Sequence, residues 1–73
     1  MDRAALEQLL RDAEVRLYRE EQEIARQREV IAALKERGDD ASQAKLSLRR
    51  LESAQARHIA ERNRLFKQLA DRG

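Results

Sequence analysis

The sequence predicts an all-α fold: an antiparallel hairpin of two long, coiled-coil-like helices, expected to dimerise into a four-helix bundle. Three observations lead there. Apolar residues recur at 3,4 spacing through most of the chain. Charged residues make up 41% of it, with no proline and no cysteine, which suits long solvated helices and excludes a disulfide frame or a thiolate metal site. One interior glycine, Gly38, breaks the pattern near its middle. Disorder is the competing expectation for so polar a chain, but a disordered chain would scatter its apolar residues, and here they are periodic.

The first helix is expected over residues 2–37. Its heptad positions a are Leu10, Leu17, Ile24 and Ile31, all large and aliphatic. Positions d are Leu6, Ala13, Glu20, Gln27 and Leu34, apolar at both ends and polar in the middle. The e positions, Glu14, Glu21, Arg28 and Lys35, are all charged, as a solvated flank should be. Of the g positions, Leu9 and Val30 are apolar, whereas Arg16 and Glu23 are not.

Residues 38–40 are expected to form the turn. Gly38 suits the left-handed position that closes a helix, because it has no Cβ to clash there. Asp39 or Asp40 then caps the next helix, with Gln43 completing a variant capping box. Lys35 and Arg37 sit at the negative end of one helix dipole, and the two aspartates at the positive end of the next.

The second helix is expected over residues 41–71. Positions a are Leu48, Gln55, Arg62 and Leu69; positions d are Ala44, Leu51, His58 and Leu65. Position e changes from Lys45 and Glu52 to Ile59 and Phe66, so the apolar stripe widens toward the open end of the hairpin. The favoured register sets Ile31 on Leu51, Leu34 on Leu48 and Leu17 on Leu65. It also pairs Gln27 with Gln55 and Glu20 with Arg62, and leaves His58 beside Ile24, a polar layer that would fix register. Two helices without a disulfide or metal bury too little to be expected to stand alone. A second copy is expected to cover Leu9, Ile59 and Phe66.

Chemistry is sparse. His58 is the only histidine, and a metal or proton-carrying role with Glu20 or Glu61 competes with a role as a polar core residue bonded across the bundle. The second is favoured, because Gln55 stands where a di-iron helix needs its carboxylate. Glu20, Glu21 and Glu23 read as partners of Arg16, Arg19, Arg26 and Arg28 at helical spacing. No phosphate loop and no nucleophile–base pair is visible, so neither an enzyme nor a cofactor is expected. Arg50, Arg57 and Arg64 share one face at spacing seven and form a candidate nucleic-acid face, although no aromatic side chains interleave with them. Charge is mildly uneven: residues 1–37 carry 8 basic and 9 acidic side chains, and residues 38–73 carry 8 and 5. That permits an acidic partner without demanding one. No signal peptide and no membrane span is expected, which makes the cytoplasm the default location.

The run Ile31-Ala32-Ala33-Leu34-Lys35-Glu36-Arg37-Gly38-Asp39-Asp40, followed by Ala44, Leu48, Leu51, His58, Arg62 and Leu65, resembles a group of short bacterial helical-hairpin proteins with a Gly-x-Asp turn. The resemblance implies a natural bacterial coiled-coil protein with no known activity, and it brings no catalytic residue. The function expected is therefore association: a homodimeric regulatory adaptor, with another protein as a further partner. A nucleic-acid-binding bundle is the alternative.

Overall fold

The computed structural model describes residues 2–72 and is an all-α antiparallel hairpin. Helix α1 spans Arg3–Glu36 and helix α2 spans Ser42–Arg72. They pack along their length into a rod of 54 × 15 × 13 Å. No helix among the described residues is long and apolar enough to cross a membrane.

Helix α1 begins where Asp2 leaves the helical region, with ψ at 169°. Its carboxylate accepts the N–H of Ala5 at 2.7 Å, satisfying one of the free donors at a helix start. The helix ends at Gly38, whose φ is +73°. Gly38 N–H donates to the Lys35 carbonyl at 3.1 Å and Asp39 N–H to the Leu34 carbonyl at 2.8 Å, the two bonds of a Schellman motif. Arg37 caps the helix through its own N–H to the Ala33 carbonyl, and its guanidinium bonds the Asp39 carboxylate at 3.1 Å.

The next helix starts at once. Asp40 Oδ1 accepts both the Ser42 hydroxyl, at 2.6 Å, and the Ser42 N–H, at 2.9 Å. The hydroxyl bond chiefly, then the backbone bond, holds the Asp40 carboxyl below its usual range, with help from Lys45. Of the two aspartates, then, Asp40 serves α2 and Asp39 closes α1. The Ala41 carbonyl accepts the first helical bond, from Lys45 N–H. The Ala41 side chain is buried with Ile31 and Ala44, and Leu34 and Leu48 pack against this plug. Small residues here let the helices close up directly behind the turn.

The register differs from the one expected. Glu20 meets His58, not Arg62, and Gln27 reaches the Ala44 carbonyl at 3.3 Å, not Gln55. The exchange of Arg62 for His58 is a slip of four residues, about one helical turn. The reason is the link: five residues, Arg37 to Ala41, join the helices, and their midpoint is Asp39. Partners must lie about equally far from that midpoint, as Glu20 and His58 do.

The motif makes Gly38 the one link position where a side chain meets backbone strain from a positive φ. A Cβ there meets nothing within 4 Å, so only backbone strain opposes a side chain. Gly38→Ala should destabilise by about 1 kcal/mol, and Gly38→Asn by less, read by urea unfolding at fixed protein concentration.

Candidate functional site

The seam holds the apolar core. On α1, Leu6, Ala13, Leu17, Ile24 and Ile31 are buried, with Leu6 only 1% exposed, while Leu10 and Leu34 are half-buried. On α2 only Ala44 is buried; Leu48, Leu51, Leu65 and Leu69 are all half-buried. The two helices thus share one interface unequally, and α2 keeps apolar surface exposed.

The polar layer sits inside this seam. His58 Nδ1–H donates to Glu20 Oε2 at 2.5 Å, from side chains 27% and 14% exposed respectively. The other carboxylate oxygen, Glu20 Oε1, is buried and has no partner. Gln55 and Arg62 are half-buried, and the Arg62 guanidinium turns to its neighbour Asn63, with bonds of 3.1 and 3.3 Å to Oδ1. His58 therefore stands as a core residue bonded across the helices. Among the described residues no group of three or more His, Cys, Asp or Glu side chains is placed to hold a metal ion.

The acidic cluster does not pair as helical spacing suggested. Arg28 crosses to Glu52 of α2 at 3.2 Å, while Glu20 goes to His58. Among the described residues Glu21 and Glu23 make no ion pair with Arg16, Arg19 or Arg26, which leaves Glu21 exposed on the flank.

Three of the exposed large apolar side chains share one flank of the hairpin, while Val15, Leu46, Leu9 and Val30 are exposed elsewhere. Tyr18, Ile59 and Phe66 are 64%, 36% and 60% exposed. A groove there is lined by Glu14, Leu17, Tyr18, Glu21, Ile59 and Arg62, and continues past Asn63 to Phe66. Leu9, expected to share a cover with Ile59 and Phe66, is itself 40% exposed but lies on the opposite flank, in the g row with Val30. In an antiparallel helix pair the e rows meet on one side and the g rows on the other, so one flat partner surface cannot cover all three.

Arg50, Arg57 and Arg64 are exposed on α2 and make no ion pair among the described residues. Two features escaped the sequence reading. The Asp2 cap was signalled by an aspartate directly before a helix-favouring run. The Glu20–His58 pair depends on register, which no local signal reports.

Comparison with known proteins gave no match to any family model, curated protein or solved structure.

The orphaned Glu20 oxygen makes the polar layer a test of specificity against stability. His58→Ala leaves both carboxylate oxygens without a partner and should destabilise by about 2 kcal/mol. The double variant Glu20→Leu/His58→Leu should be at least as stable as the parent in urea unfolding. A loss above about 1 kcal/mol would show that the pair is net stabilising.

Proposed function

We propose that this chain is a non-enzymatic association module, a regulatory adaptor that acts as a homodimeric four-helix bundle in the cytoplasm. The supporting observation is the unequal seam: α1 buries five residues, α2 buries one, and Tyr18, Ile59 and Phe66 lie open along a single flank. A rod 13 to 15 Å across is one helix pair thick, so its apolar stripe has solvent on either side. A second hairpin covers that stripe by the packing that joins the first two helices. The kinship with bacterial hairpin proteins belongs to this proposal too, and rests on the turn and seam residues alone.

Light scattering over a tenfold concentration range tests this reading. A mass near twice the 8.5 kDa of one chain is expected at the upper end. A constant single-chain mass with full helicity would overturn the homodimer and leave the open flank to a different protein.

The second reading is a nucleic-acid-binding bundle. It is favoured by Arg50, Arg57 and Arg64, which stand exposed and unpaired among the described residues at one-heptad intervals. Such a row follows a phosphate backbone by charge alone, so binding to a labelled RNA or DNA duplex should weaken steeply between about 50 and 200 mM salt. Absence of binding at the lower salt would remove this reading.

A further inference from the structure

Charge and side-chain size on the open flank are patterned about the same point of α1, and we propose that the second copy docks there through the same face, α1 antiparallel on the partner's α1, with the two-fold axis beside Ala25. This rests on the homodimer reading. It goes further by fixing which face is used and in which direction the copies run.

The e row of α1 reads Glu14, Glu21, Arg28, Lys35, and all four are exposed. The sign changes midway, between Glu21 and Arg28, and the Arg28 guanidinium also bonds Glu52 of its own α2. An antiparallel copy centred there brings Glu14 to the partner's Lys35 and Glu21 to the partner's Arg28, and symmetry repeats both pairs. A copy running parallel sets acid against acid and base against base. The adjoining b row reads Tyr18, Ala25, Ala32. The same axis lays Ala25 on Ala25 and seats the Tyr18 ring over the partner's Ala32, large on small. Arg11, the one basic residue in the b row at the acidic end, falls at the partner's turn, which carries Asp39.

Helix α2 fits the same placement. Ile59 and Phe66 lie level with Tyr18 and Glu14, and the axis carries them to the turn half of the partner's α2, level with the partner's Leu48 and the partner's Ala41; the one like-charge approach it makes is Lys45 toward the partner's Arg62. A face 54 Å long and 15 Å wide offers roughly 800 Å², the ~800 Å² per partner of a standard stable interface. The opposite flank is a poorer choice. Helix α2 lines it with Ser47, Ala54, Glu61 and Gln68, so Leu9 and Val30 there have no large apolar neighbour on α2 comparable to Ile59 and Phe66.

Sedimentation velocity of charge-swapped chains tests the orientation, with circular dichroism to confirm that each stays helical. Glu14→Lys/Glu21→Lys makes the row wholly basic, and Arg28→Glu/Lys35→Glu makes it wholly acidic. Each alone should self-associate at least ten times more weakly than the parent. Their equimolar mixture should form a heterodimer within threefold of the parent's affinity. Ala25→Arg, an exposed change that keeps helix propensity, should weaken the dimer tenfold by placing two guanidinium groups at the axis. If the parent dimerises but all three variants do so equally well, the face is wrong and the homodimer reading survives. If the swapped chains weaken but their mixture does not recover, the row does not face its own copy; if neither swapped chain weakens and the mixture binds more tightly than the parent, the copies run parallel and the antiparallel orientation is wrong. A monomeric parent removes both proposals together.

Discussion

Five residues set the geometry of everything else in this molecule. The link from Arg37 to Ala41 carries no slack: two backbone bonds close α1 on Gly38, and Asp40 opens α2 on Ser42. Two stiff helices joined this tightly can pair in only one way. The midpoint of the link decides which residue of α2 faces which residue of α1. It therefore decides that a histidine, not an arginine, faces the buried carboxylate of Glu20. Ala41 and Ala44 complete the constraint by letting Ile31 seat directly behind the turn.

The fold was legible because it depends on periodicity and on a single glycine, and both are local signals. The a and d positions of α1 are the residues that the seam buries or half-buries, and the turn falls at Gly38. The register was not legible to the same depth. Matching apolar and polar partners by type favoured Glu20 opposite Arg62, four residues from the register that the structure has. What separates the two is the length of a capped link, and that emerges only when each cap has been assigned its residue. The flanks were partly legible. Ile59 and Phe66 stood out as a widening of the stripe, but Leu9 was grouped with them because apolar character alone does not tell one edge of a helix pair from the other.

A polar layer inside so thin a core has a particular role. With one helix on either side of each seam residue, nothing behind the layer supplies spare hydrogen-bond partners. Glu20 consequently satisfies one oxygen and leaves the other without a partner. An apolar pair would fill the same space without that deficit, but would also tolerate a slip along the seam. Arg28, bonded to Glu52, reinforces the same alignment nearer the turn, while Gln27 reaches lengthwise along the seam to the Ala44 carbonyl.

The tight link also bears on how the chain reaches this state. Ile31 and Ala44 meet by closing a loop of about a dozen residues, whereas Leu6 and Gln68 at the far end close one of about sixty. Direct closure of the larger loop from an open chain costs roughly 1.4 kcal/mol more in entropy. That difference vanishes once the nearer contacts exist, since each further layer then joins two segments already held side by side. Assembly consequently proceeds like a zipper pulled from its closed end, and the short average separation of its contacts places the chain among fast-folding topologies.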